Sequence, residues 1–352
     1  PALHHDALWL ASGGLGVFDQ KEVLDELGEE ELLSIMDDIS SDVVDGRHKR
    51  LDQYIDSGIQ RARELGLGWV EVFLRHWRLQ SYVLVRNKPK DMIKEAISLL
   101  EFAHRPENKN CPQSICVVQD LANCYAIFDG PGFFQERLQV AKENLDKINA
   151  SWPCYICISA EYATALIDAG RYQECIDFLN NCDNELVKSE EEKDRSELLF
   201  VRVQALVLIG EYGKARDQVK RVDTDDGGGS NFVTRKSVLK ALITAYDGCY
   251  DEAEKCLPEF KKIKVFSSEM ARWAKVKFMI ASEADGAALT TLINQFKQIV
   301  IDMEDRGVYR DTFNTLGLLA ELYARVSDSE GLEQAIESMV RVKSFLNKDA
   351  GA

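Results

Sequence analysis

The sequence predicts an all-α protein, a right-handed α-solenoid of stacked antiparallel helix hairpins. Three observations predict it. A short phrase recurs at near-constant spacing, the stretches on either side of it carry apolar residues at helical intervals, and only 7 prolines in 352 residues leave long segments free to be helical. A fixed period of this size marks supersecondary units that stack, because one hairpin cannot cover its own apolar stripe.

The phrase reads Ala169-Gly170-Arg171-Tyr172-Gln173-Glu174-Cys175, then Ile209-Gly210-Glu211-Tyr212-Gly213-Lys214-Ala215, then Asp247-Gly248-Cys249-Tyr250-Asp251-Glu252-Ala253, its glycines 40 and then 38 residues apart. Before Gly170, the residues Ile158, Tyr162, Ala165, Leu166 and Ala169 recur at steps of three and four, and Cys175, Ile176, Leu179 and Cys182 do the same after it. Leu198, Leu199, Val203, Leu206 and Ile209 precede Gly210, and Ala215 and Val219 follow. Such spacing puts each set on one helix face. Each phrase is therefore the turn of a helix pair, with glycine ending the first helix and tyrosine packing back across the turn.

The plan extends in both directions. Asp129-Gly130-Pro131-Gly132 separates apolar helices at Leu121–Phe128 and Leu138–Ile148, and Gly132 stands 38 before Gly170 as the equivalent glycine. Asn87-Lys88-Pro89-Lys90-Asp91 separates Trp69–Arg86 from Met92–Ala103. Downstream, Ala284-Asp285-Gly286 falls 38 after Gly248, and Ser327-Asp328-Ser329-Glu330-Gly331 splits a last pair. The array then holds six or seven hairpins over residues 47–352, preceded at 1–46 by an acidic helical cap or extension whose helical element lies within 19–44.

The turn, Gly-x-Tyr-x-x-Ala, with Tyr162 eight residues before Gly170, resembles that of the tetratricopeptide repeat, best over residues 152–260. The repeats run 38 to 41 residues rather than the family's usual length of about 34. Leu199 stands where the family has a bulky aromatic, and Cys175 and Arg137 stand at the small-residue position of the second helix.

The resemblance implies a concave face lined by the first helix of each hairpin, at positions thirteen, ten, six and three before the turn glycine. Carried over, these are Cys157, Ala160, Thr164 and Ile167, then Glu197, Phe200, Gln204 and Val207, then Arg235, Val238, Leu242 and Ala245 with Tyr246 adjacent. The looser units contribute Gln119, Ala122, Ala126 and Asp129, and Arg78, Ser81, Val85 and Lys88. The partner-binding set so implied is Arg78, Gln119, Thr164, Glu197, Phe200, Gln204, Arg235, Leu242 and Tyr246. Phe200, Leu242 and Tyr246 would take an apolar anchor, Gln119, Thr164 and Gln204 would bond an extended backbone, and Arg78 makes one end basic. The expected partner is a protein or peptide with acidic and apolar residues.

Charge and composition narrow the function classes. A net charge of −16 argues against nucleic acid, which needs a basic face. No apolar run approaches the ~20 residues of a membrane span. Residues 1–46 carry twelve acidic side chains against one lysine, whereas 47–94 carry eleven basic against five acidic. That contrast reads either as pairing within the chain or as a locally basic surface for an acidic segment. The start, Pro1-Ala2-Leu3-His4-His5, lacks both Met and a signal-peptide plan and reads as a processed or trimmed end.

Nine scattered cysteines, an odd number, suit reduced thiols in a cytoplasmic protein. Cys154-Tyr155-Ile156-Cys157, after Trp152-Pro153, has the form of a redox or half-zinc motif at a helix start. No strand-and-helix pattern surrounds it, the five histidines lie far off in sequence, and no second such pair follows. The spacings Cys175/Cys182 and Cys249/Cys256 are two helical turns and read as packing. Asp223-Thr224-Asp225-Asp226-Gly227 lacks the ligand spacing of a calcium loop, with Thr234 at its twelfth position, and reads as a linker. Ser12-Gly13-Gly14-Leu15-Gly16 lacks the Lys-Ser/Thr of a phosphate loop. His76 and His104 have no catalytic partner at a local spacing. The chain reads as a non-enzymatic protein- or peptide-binding scaffold or adaptor without cofactor or metal. The alternatives are a regulatory or sensory segment of a larger signalling or transcription protein, and a thiol redox or metal protein using Cys154 and Cys157.

Overall fold

The structure is a computed structural model that describes residues 24–44, 48–86, 88–108, 113–152, 154–188, 195–221, 230–263, 267–281 and 286–346. The Ser12–Gly16 segment, Asn87, Cys111, Pro153, the linker glycines at 227–229 and the Ala284-Asp285 turn lie outside them. Among the described residues the regular elements are all helical. They run α1 (Glu30–Val44), α2 (His48–Glu64), α3 (Gly68–Gln80) with a π-turn at Ser81–Val85, α4 (Pro89–Ala103), α5 (Gln113–Asp129), a 3₁₀ turn at Gly130–Phe133, and α6 (Phe134–Leu145). Then come α7 (Tyr155–Asp168), α8 (Tyr172–Lys188), α9 (Ser196–Leu208), α10 (Tyr212–Arg221), α11 (Ser230–Tyr246), α12 (Tyr250–Cys256) and α13 (Phe260–Ile263). The chain ends with α14 (Ser267–Ile280), α15 (Gly286–Arg306), α16 (Tyr309–Arg325) and α17 (Ser329–Leu346).

The three repeat glycines do what the phrase predicts. Gly170, Gly210 and Gly248 have φ of 73°, 80° and 77°, the left-handed region that ends a helix. At each, two amides turn back onto the last turn of the preceding helix; Gly210 N donates to Val207 O at 3.1 Å and Glu211 N to Leu206 O at 2.9 Å. A Cβ on any of the three would meet nothing within 4 Å, so handedness alone selects glycine there. The last hairpin makes the same turn without glycine, at Ser327 with φ 57°. Gly132 departs from expectation: it lies in the 3₁₀ turn, where its amide donates to the Asp129 carboxylate at 3.2 Å. The break is where the sequence puts it, but an aspartate cap makes it.

The molecule divides into two compact units. The first holds the described residues within 1–126, 135–162 and 182–191; the second holds those within 127–134, 163–181 and 192–352. In the first, α1, α2 and α3 share one core, built from Leu32, Ile35 and Ile39 of α1, Leu51, Ile55 and Ile59 of α2, and Val70 and Leu74 of α3. The acidic and basic blocks of the sequence meet across it. Arg50 pairs with Asp38 at 2.5 Å, Arg61 pairs with Glu29, and the Tyr54 hydroxyl donates to Asp42 at 2.5 Å. The Arg61 guanidinium holds the Glu29 carboxyl below the usual carboxylate range. The basic stretch is thus largely answered by the chain's own carboxylates.

In the second unit α9, α10 and α11 pack Leu199, Val203, Leu206, Ala215, Val219, Leu239 and Ile243 into one cluster, with Tyr212 against it. Ala215 and Ala253 are fully buried, as close helix approach after the turn requires. In the first unit, Arg137 holds the equivalent place, fully buried, and its Nε donates to Glu161 at 2.5 Å.

Candidate ligand-binding face

The candidate residues of the second unit are positioned by three successive first helices, α9, α11 and α14. On α9, Glu197, Phe200 and Gln204 fall at helical intervals along one flank. Arg235 of α11 reaches across to them: its Nη1 donates to Glu197 Oε1 at 2.6 Å and its Nη2 to Glu197 Oε2 at 3.2 Å. The same guanidinium covers the Phe200 ring at 4.5 Å from its centroid, a cation–π contact. On its other side Arg235 lies 3.5 Å from Glu269 of α14. Arg272, one turn further along α14, donates to Glu269 Oε1 at 2.8 Å and to Gln204 Oε1 at 3.0 Å. Burial alone would lower the Arg235 pKa; the charges of Glu197 and Glu269 raise it instead. The Glu197, Arg235 and Arg272 side chains keep 37%, 24% and 23% of their surface exposed, so water and ligand can reach the network, whereas Glu269 at 6% anchors it.

The expected residues divide accordingly. Glu197, Phe200, Gln204 and Arg235 come together. Phe200 is 1% exposed beneath Arg235, so it is the floor of this face rather than an open apolar anchor. Leu242 is half-buried against the Ala241, Ala245, Ala253 and Val276 cluster. Tyr246 is 37% exposed and stacks on Tyr212, rings 5.5 Å apart and 11° from parallel. Thr164, on α7, is half-buried in the same unit.

Arg78 and Gln119 belong to the first unit. Arg78 is held by Asp56 at 3.1 Å and Glu95 at 3.0 Å. Gln119 is half-buried on α5, where its Oε1 has no hydrogen-bond partner among the described residues.

Sequence reasoning missed Glu269 and Arg272. The available signal was periodicity of charge: Arg235 lies 38 residues after Glu197, one repeat, and Arg272 falls about one repeat further on. It also missed the partner of His76. In the first unit His76 Nδ1 lies 2.8 Å from Asp120 Oδ2, 44 residues away, with Gln80 donating to the other carboxylate oxygen. Burial would lower the His76 pKa, but the charge and hydrogen bond of Asp120 push it up to about 9.

The described cysteines are all free thiols. Cys157 is exposed on α7, while Cys154 and Cys116 are half-buried. Among the described residues no group of three or more His, Cys, Asp or Glu side chains is placed to hold a metal ion, and no helix is long and apolar enough to cross a membrane.

No protein-family model matches the sequence, and no curated protein matches it. Solved structures do. A Rap protein complexed with Competence and Sporulation Factor superimposes with a TM-score of 0.51 at 13% identity, over 90% of this chain and 99% of that one. A tetratricopeptide repeat protein from Parabacteroides merdae superimposes with a TM-score of 0.42 at 16% identity, over 76% of this chain and 98% of that one. The first likeness and the glycine-turned hairpins together define the class: an all-α protein with a tetratricopeptide-repeat-like fold of helix hairpins.

Proposed function

We propose that the chain is a non-enzymatic binding module that holds an extended segment of a protein partner on the face formed by α9, α11 and α14. The observation that carries this reading is the half-exposed chain of Glu197, Arg235, Glu269, Arg272 and Gln204. It runs across three first helices and presents two guanidiniums and a side-chain amide to solvent. Guanidiniums engage carboxylates and peptide carbonyls with several donors at once, and Gln204 offers both a donor and an acceptor to a backbone. The stacked pair Tyr212 and Tyr246 adds an exposed aromatic platform for an apolar side chain. The Rap protein of similar fold was solved complexed with Competence and Sporulation Factor, which is in keeping with a binding role and with the reading as a regulatory or sensory segment.

Selection of a displayed library of random peptides on the full chain tests the proposal. Enriched peptides should carry acidic and apolar residues. Their affinity should fall at least tenfold in the double variant Gln204→Ala/Arg272→Ala and again in Tyr246→Ala, with unchanged helical circular dichroism. Undiminished affinity in both variants would remove this face as the site.

A further inference from the structure

The two guanidiniums on the face of α9, α11 and α14 are held differently. Arg235 has a carboxylate on either side, Glu197 and Glu269, and lies over the Phe200 ring. Arg272 divides its bonds between one carboxylate, Glu269, and one neutral acceptor, Gln204 Oε1 at 3.0 Å. A carboxylate brought to Arg272 displaces that amide oxygen, because a hydrogen bond between two charged groups is shorter and stronger than one to an amide. Gln204 is then released, with donors and an acceptor to offer a peptide backbone.

One helical turn past Gln204, on the same flank of α9, stands Leu208, 48% exposed. Exposed Tyr246 of α11 follows Leu208 by 38 residues, the interval that also separates Arg235 from Glu197, so it holds the equivalent place on the adjacent first helix. Tyr212 backs its ring. Neighbouring packed helices lie about 8–10 Å apart, which leaves between Leu208 and Tyr246 a seat for one apolar side chain. The seat and the exchangeable bond of Arg272 are thus set one turn of α9 apart, and four residues of helix advance about 6 Å. Two residues of extended chain advance about 6.6 Å and put their side chains on the same side. Residues one or three apart in such a chain face opposite ways, and residues four apart, at about 13 Å, overshoot. Resting on the binding role proposed above, we infer that the partner segment carries an Asp or Glu two positions from an aromatic or aliphatic residue. The carboxylate sits on Arg272, and the apolar side chain sits between Leu208 and Tyr246.

The peptide most enriched from the displayed library on the full chain is synthesised with a fluorescent label, and its affinity is read by anisotropy. Versions in which the acidic residue stands one, three or four positions from the apolar one should each bind about tenfold more weakly, the worth of one hydrogen bond between charged groups. Exchanging the peptide's acid for its amide should cost a similar factor with the natural chain, and less than about twofold with Arg272→Ala. Exchanging its apolar residue for alanine should in the same way lose its effect in Leu208→Ala. Both variants alter side chains that reach solvent, and unchanged circular dichroism shows that the fold is intact. Equal affinity at every spacing, with the loss in Gln204→Ala/Arg272→Ala retained, would overturn the register and leave the binding face standing. Equal affinity at every spacing and in those variants too overturns both.

Discussion

Two pairs of the first unit and one network of the second handle charge in opposite ways. In the first, Arg137 closes on Glu161 and His76 on Asp120, all nearly or fully out of solvent, although Arg75 and Glu71 of the same unit share their partners. In the second, charges are shared along a half-exposed chain in which Arg235 has two carboxylate neighbours and Arg272 has a carboxylate and an amide. A closed buried pair cannot exchange partners, since losing one leaves the other desolvated and unanswered. A half-exposed shared network loses little when one bond is traded for another, because water is at hand. The first arrangement is a structural fastening; the second is a surface on which a ligand can substitute for a neighbour.

The contrast is broken most severely by Arg137→Ala. It strands Glu161 in the core and should cost about 3–5 kcal/mol of the first unit's stability in denaturant unfolding. The double variant Arg137→Met/Glu161→Leu should recover most of that loss, and failure to do so would mean the pair is not closed. Next comes pH. The His76 pKa is raised from an ordinary 6.5 to about 9, so its pair with Asp120 contributes fully below pH 6.5 and its contribution is lost as pH rises through about 9. About 3 kcal/mol should disappear across that window, and His76→Gln should flatten the profile. Arg272→Ala, by comparison, should change stability by less than about 1 kcal/mol while weakening peptide binding. The smallest effect sharpens the turn geometry: Ser327→Gly should stabilise the last hairpin by about 0.5–1 kcal/mol, read as a rise in unfolding midpoint.

The hairpins were legible because their turns carry a stereochemical demand that only a few residues meet, and because helical periodicity is local. The second unit's network was legible in part. Repeat spacing brought Glu197, Phe200, Gln204 and Arg235 to one flank, but it could not show that Arg235 would lie over Phe200 and shut off its ring. The closed pairs were illegible. Arg137 reads as a flaw at an alanine position until Glu161, 24 residues on, is placed against it. His76 finds Asp120 only through packing of α3 on α5. The spacing of Cys154 and Cys157 likewise could not show their unequal exposure, Cys154 half-buried and Cys157 open to solvent.

The serine-made bend before α17 bears on how relatives of this chain should be counted. Since no neighbouring atom crowds the glycine positions, substitution there is opposed only by a modest local conformational cost, and drift can erase the residue while the bend survives. A tally of repeats taken from glycines alone will therefore come out short.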